Sequence, residues 1–205
     1  KMLENLIRLV FLQIRKNIIE KINIPKKMNN VFNNILDMVG NTPLLKINKI
    51  DTGPCELYVK LENLNPGGSI KDRVGLQMID DAEKNGILKK GGTIVECTAG
   101  NTGLGLALAA KLKGYKLILV IPDKMSQEKV MHLEAMGVEI VFTRSDVEKG
   151  HPEHYQDLAA KIVSETPGAF FTDQFNNPSN PLIHETTTGP ETVSYTHLRA
   201  HETRL

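Results

Sequence analysis

Three short apolar runs organise the middle of the chain: TIVEC (93–97), KLILVI (116–121) and VEIVF (138–142), each rich in β-branched residues. Between and after them, apolar positions recur at helical spacing over stretches of about 15 to 20 residues. This alternation predicts βαβ units and one parallel or mostly parallel sheet with helices on its faces. KLILVI is apolar at successive positions, as a central strand covered on both faces must be. The stretch NTGLGLALAAKLKG offers Leu104, Leu108 and Leu112 as a helical face and ends at Gly114, a C-cap signal. SQEKVMHLEAMG repeats the pattern and ends at Gly137, and a further helix over about 153–165 precedes GAFFTDQF. The right-handed crossover rule stacks these units into a single α/β sheet.

Composition narrows the partners. Lys plus Arg number 25 against 24 Asp plus Glu, so no global field draws the chain to nucleic acid or an acidic membrane. The two cysteines, Cys55 and Cys97, have no CxxC spacing, which fits a reducing, cytoplasmic compartment and gives no disulfide framework or zinc site. No apolar run approaches the roughly 20 residues that span a bilayer. A small-molecule ligand is the default expectation.

The two ends break the pattern. Residues 1–27 are rich in Asn, Ile and Lys and keep no clean apolar face, so they read as a non-native or disordered extension before Met28. Residues 192–205 read as an artefactual tail, which removes His197 and His201 from consideration as ligands. The coherent domain is expected over 28–191.

Two stretches carry candidate chemistry. In NPGGSIKDR (65–73), SIKD has the form of a capping box, with Ser69 as N-cap and Asp72 reaching back, so Lys71 falls in the first turn of a helix. Val74, Met78, Ile79 and Ala82 form that helix's apolar side, and it stops near Gly86. The partial positive charge of a helix N-terminus disfavours an ammonium there and favours the neutral, nucleophilic amine. Gly67 and Gly68 remove bulk beside it, leaving room for a flat ring. Charge and capping alone leave open both a Schiff-base lysine and a solvated one. In TAGNTGLG (98–105), Thr98, Asn101 and Thr102 stand among glycines after a strand and at the start of a helix, where parallel sheets bind ligands. The glycine spacing is not GxGxxG, and Lys71 is followed by Asp72 where a P-loop needs Ser or Thr.

Together VGNTPLL, KLENLNPGGSIKDR, TAGNTGLGLA, PDKMSQEKV and DQFNNPSNP resemble, in order, the β-family of pyridoxal-phosphate enzymes, the fold-type II group with cysteine synthase and cystathionine β-synthase. The resemblance runs from about residue 36 to 191. It implies a tryptophan synthase β-like fold, present incompletely, and pyridoxal 5'-phosphate as cofactor. Lys71 would be its Schiff-base lysine and Asn101 a hydrogen-bond partner of the ring's phenolic oxygen. Thr98, Ala99, Gly100, Asn101 and Thr102, with Gln174, would close on the substrate carboxylate. The implied reaction replaces the β-substituent of L-serine or O-acetyl-L-serine by a thiol or sulfide, with a homodimer as the full-length form. The family's phosphate-binding loop and its Ser or Thr partner of the pyridine nitrogen do not occur before residue 205, so a truncated, inactive fragment is one expectation. A serine or threonine dehydratase and a nucleotide-binding Rossmann module are the others. No metal is expected, and no haem. Cys97 stands where many relatives carry Pro and reads as a small buried side chain. His132, His151, His154 and His184 read as solvated or structural, and Asp72 and Arg73 as capping and surface pairing.

Overall fold

The computed structural model describes residues 31–98 and 100–194. The expected extension 1–27 and Ala99 lie outside them, and so does the expected tail 192–205 apart from its first three residues, Thr192, Val193 and Ser194. The chain divides into two units, 1–33 and 34–205, and every element below belongs to the second.

In chain order the elements are a 3-10 turn (Ile35–Met38), β1 (Leu44–Ile47), β2 (Leu57–Lys60), a second 3-10 turn (Glu62–Leu64), α1 (Lys71–Lys84), β3 (Thr93–Glu96), α2 (Asn101–Lys113), β4 (Lys116–Pro122), α3 (Gln127–Ala135), β5 (Glu139–Thr143), α4 (Tyr155–Glu165), β6 (Phe170–Phe171) and α5 (Ser179–Ile183). The helix continues from α5 through a π-helical segment, His184–Thr188. Strands β3 to β6 form a parallel sheet in the order β5-β4-β3-β6, with Ile94 opposite Leu117 and Val95 opposite both Ile118 and Phe171. The three predicted strands are therefore adjacent in space. The antiparallel pair β1-β2 is a separate two-stranded sheet that the hydrophobic pattern did not predict. Its strands are only half-buried, so they carry little of the apolar signal that marks β4.

Side chains alternate across the sheet and build two cores. Ile94, Leu117, Leu119 and Ile121 pack with Val74, Met78, Ile79 and Leu106 on one face. On the other, Val95, Ile118 and Val120 pack with Ala159 of α4. Helices thus cover both faces, which gives the expected three layers.

The expected face of α2 needs correction. Leu112 is exposed and Leu104 and Leu108 only half-buried, while Leu106, Ala107, Ala109 and Ala110 are fully buried. The helix is covered on more than one side, by α1 and by the sheet, so its small residues rather than its leucine stripe meet the core. Gly75 and Gly105 set the α1-α2 approach. A Cβ at Gly105 would fall 2.5 Å from the Lys71 carbonyl oxygen, and one at Gly75 would fall 2.7 Å from the Gly105 carbonyl carbon. Backbone atoms cannot step aside as a flexible side chain can. Gly105→Ala is accordingly expected to cost about 1–3 kcal/mol of stability by overpacking, read as a lowered urea midpoint. An unchanged midpoint would show that the helices are not in this contact.

Candidate active site

Lys71 is the first residue of α1, one residue after the N-cap position held by Ile70. Ser69 Oγ accepts from the Lys71 N–H at 3.2 Å. The reciprocal half of the expected capping box differs, because the Asp72 carboxylate accepts from Gly67 N–H and not from Ser69. The preceding turn explains why. Gly68 N–H donates to Asn65 O at 2.8 Å with Gly68 at φ +83°, and this folds Gly67 over Asp72. A Cβ at Gly67 would sit 2.5 Å from Asp72 Oδ1, so this glycine makes room for the carboxylate. Around Gly68, by contrast, the Cβ position is open. Asp72 is 1% exposed, and its Oδ1 has no hydrogen-bond partner among the described residues. Burial pushes its pKa up, the Gly67 N–H pulls it down, and the charge of Glu62 adds to the rise, for a net increase.

The Lys71 side chain is half-buried, and among the described residues its amine makes neither a hydrogen bond nor an ion pair. Its field reaches His184, whose pKa is lowered by burial and then by the charges of Lys71 and Arg73. His184 Nδ1 lies 3.1 Å from Thr188 Oγ1 in the π-helical segment. Nothing in the residue pattern around His184 indicated this influence of Lys71.

The second candidate stretch meets the first through α2. Asn101 opens this helix, is exposed, and has no side-chain partner among the described residues. Gly105, one turn further on, abuts the Lys71 backbone, so the first turn of α1 and the loop before Asn101 stand at the same end of the α1-α2 pair. Thr98 Oγ1 accepts from Gly100 N–H at 3.2 Å, and the Cβ position of Gly100 is nearly open. Thr102 is buried, and its hydroxyl donates to Gln174 Oε1 at 2.6 Å across 72 residues of sequence. Sequence reasoning assigned Thr102 and Gln174 to one carboxylate site, and the fold brings them into direct contact. Gln174 Oε1 is taken by Thr102, which leaves its amide NH2 to donate elsewhere.

Arg73 is not a surface pairing residue. Its side chain is 2% exposed and lies between two carboxylates from distant segments. Nε and one Nη donate to Glu62 at 2.8 and 2.9 Å, and both Nη atoms donate to Glu191 at 2.6 and 2.7 Å. Glu62 also accepts from Asn65 Nδ2 at 2.9 Å and Thr42 Oγ1 at 2.5 Å, and Lys60 Nζ reaches Glu191 at 2.7 Å. Asn65 Oδ1 in turn accepts from Gly40 N–H at 2.8 Å. The network fastens the NPGGS turn, β2 and the helical segment that carries Glu191 around the residue two after Lys71. A partner 118 positions away leaves no local trace in sequence.

Other groups recede. Cys97 is buried, and burial with the neighbouring Glu96 carboxylate pushes its thiol up to about 12, which keeps it from acting as a thiolate nucleophile. No His, Cys, Asp and Glu cluster with metal-binding geometry occurs among the described residues. No helix among them is long and apolar enough to cross a membrane. A cleft of about 290 Å³ lies between α1 and the edge strand β6, and another of about 350 Å³ is walled by Arg73, Asp80, Thr187 and Glu191. Lys71 lines neither.

Comparison with known proteins gives the family. Residues 35–202 match the family described as "Pyridoxal-phosphate dependent enzyme". A cystathionine beta-synthase of Dictyostelium discoideum is 50% identical over 162 residues, covering 78% of this chain and 32% of that protein. A cysteine synthase of a Flavobacterium strain is 51% identical over 161 residues, covering 78% of this chain and 51% of that protein. The crystal structure of a hydrogen sulfide-producing enzyme from Fusobacterium nucleatum superposes with a TM-score of 0.76 at 40% identity, over 83% of this chain and 55% of that one. The chain thus spans about a third of the first relative and about half of the other two. An unpartnered lysine at a helix start, an asparagine loop at the same end of the helix pair and a match across most of the chain converge, and the chain belongs to the family of pyridoxal-phosphate dependent enzymes.

Proposed function

We propose that this chain supplies the lysine side of an active site for β-replacement on L-serine or O-acetyl-L-serine, with a thiol or sulfide as acceptor and cystathionine or cysteine as product. The observation that carries the reading is the partner-free amine of Lys71, a residue whose backbone packs on Gly105 one turn after Asn101, in a chain about half identical to enzymes named cystathionine beta-synthase and cysteine synthase.

The residues present fit pyridoxal phosphate. Lys71 offers an amine with no competing partner, Asn101 offers a free amide, and the open Cβ positions at Gly68 and Gly100 leave the backbone approachable. Lys71 and Asn101 would hold the group through its aldehyde and its phenolic oxygen. When bound, it supplies an electron sink for a carbanion at the substrate Cα. The chain's own residues do the rest. Lys71 Nζ takes the Cα proton as general base and later returns it. The loop of Thr98, Ala99, Gly100, Asn101 and Thr102 binds the substrate carboxylate, and the Gln174 NH2 donates to it. That anchorage orients the Cα–H bond toward Lys71. The two free cysteines, one exposed and one buried, support a cytoplasmic setting.

The test is product analysis on the holoenzyme, with serine or O-acetylserine as donor and homocysteine or sulfide as acceptor. Cystathionine or cysteine formed in proportion to thiol consumed is the expected outcome. Keto acid and ammonia released at the same rate with or without thiol would replace this reading by a dehydratase. Affinity for NAD without either product would point to a nucleotide-binding module.

A further inference from the structure

One buried carboxylate lies beneath both halves of the proposed carboxylate site. Glu96 ends β3 and is 1% exposed. Its Oε1 accepts from Cys97 N–H at 2.9 Å, at the root of the Thr98–Thr102 loop. Its Oε2 accepts from the Thr172 hydroxyl and from Gln174 N–H, the latter at 3.3 Å. Thr172 is fully buried and is tied a second time to β3 by its N–H, which donates to Val95 O at 3.1 Å. Between Thr172 and Gln174, Asp173 adopts φ +42°, a conformation that side-chain-bearing residues seldom take without outside support. The Asn177 and Asn180 amides hold Thr172 O and Gln174 O at 2.8 and 2.9 Å. The bond from Thr102 to Gln174 then closes a ring from strand end to loop to turn.

We propose that Glu96 is a positioning residue for the amino-acid donor: by accepting from Cys97 and from the Thr172–Gln174 turn at once, it fixes the Gln174 amide against the Thr98–Thr102 loop. The inference rests on the reading that this loop and Gln174 bind the donor carboxylate. A carboxylate is required because all three of its partners donate. In Glu96→Gln one oxygen becomes an NH2 group. Turned toward Cys97 it faces a donor, and turned toward the other side it faces the Gln174 N–H, so either orientation loosens one half of the site.

The test uses the holoenzyme and four variants: Glu96→Gln, Thr172→Val, Gln174→Ala and the Glu96→Gln/Gln174→Ala double. Two quantities are measured on each, KM and kcat for the donor and the Kd of a non-reacting amino acid followed by cofactor absorbance. Glu96→Gln is expected to raise donor KM and analogue Kd about tenfold while leaving kcat and the resting absorbance unchanged. Thr172→Val, which keeps the shape and removes one donor, moves both in the same direction by less. In the Gln174→Ala background Glu96→Gln adds less than about a twofold effect, because the group it positions is gone. If Gln174→Ala leaves analogue binding unaltered, the carboxylate reading fails and this inference with it. If Gln174→Ala weakens binding but Glu96→Gln does not, or if the two effects multiply, only this inference is overturned.

Discussion

Lys71→Ala in the holoenzyme is expected to lower turnover by on the order of 10³-fold or more, with no compensating fall in KM. The size follows from the two roles proposed for one amine: to hold the cofactor and to move the Cα proton. The structure gives it no other occupation, since among the described residues it has no hydrogen bond or ion pair to lose. Without cofactor, folding should therefore be almost unaffected, and the urea midpoint of the cofactor-free variant should match that of the cofactor-free parent. Lys71→Arg should be nearly as inactive, because a guanidinium keeps its proton and cannot serve as nucleophile or base. The measurement is steady-state kcat for the donor with each acceptor. Turnover within a few-fold of the parent would assign the chemistry to another group.

Arg73→Met is expected to produce the largest loss of stability. Removing one member of a buried ion network costs about 3–5 kcal/mol, and here the guanidinium serves two carboxylates whose side chains are themselves only 15% and 16% exposed. Both would be left facing each other without their shared cation. Arg73→Lys should recover only part, since an ammonium cannot present two parallel donors to each of two carboxylates. Denaturant unfolding monitors both variants, and a change below about 1 kcal/mol would mean that the network behaves as an exposed pair.

The network also predicts an acid limit. Burial alone would raise the Glu191 pKa, but hydrogen bonds from Arg73, Lys60 and the Asn41 N–H outweigh it and hold the carboxyl at about 2. Glu62 is lowered in the same way by Arg73, Thr42 and Asn65 against its burial. A carboxyl depressed in the fold stabilises the fold fully above its unfolded value, near 4.5, and the contribution is lost as pH falls from there toward 2. Asp72 acts in the opposite sense, since its raised pKa costs stability as pH rises above its unfolded value. The acid loss should be steeper in the parent than in Arg73→Met, where Glu191 no longer has its main partner.

The centre of the parallel sheet was legible because β3 and β4 are buried on both faces. TIVEC and KLILVI carry that burial in their composition, and Gly86, Gly114 and Gly137 mark the helix ends with positive φ. The β1-β2 pair was not, because Leu45, Leu57 and Val59 are exposed and its strands alternate only weakly. Lys71, Asn101, Thr102 and Gln174 were readable as a set through ordered motifs, and contact between Thr102 and Gln174 needed only the fold to close it. The supporting groups were not readable. Arg73 meets Glu191 and Glu96 meets Thr172 across 118 and 76 residues, and Asp72 finds Gly67 only because a glycine turn folds back over it. Local pattern names candidate groups, whereas the groups that hold them depend on tertiary contact.

Reductive trapping tests the central claim most directly. The holoenzyme loaded with pyridoxal phosphate is treated with borohydride, digested, and mapped by mass spectrometry for the lysine that has gained the reduced pyridoxyl group. The label should fall on the peptide containing Lys71, and no labelled peptide should remain after Lys71→Ala. Label on a different lysine, or full labelling that survives the substitution, would contradict the account.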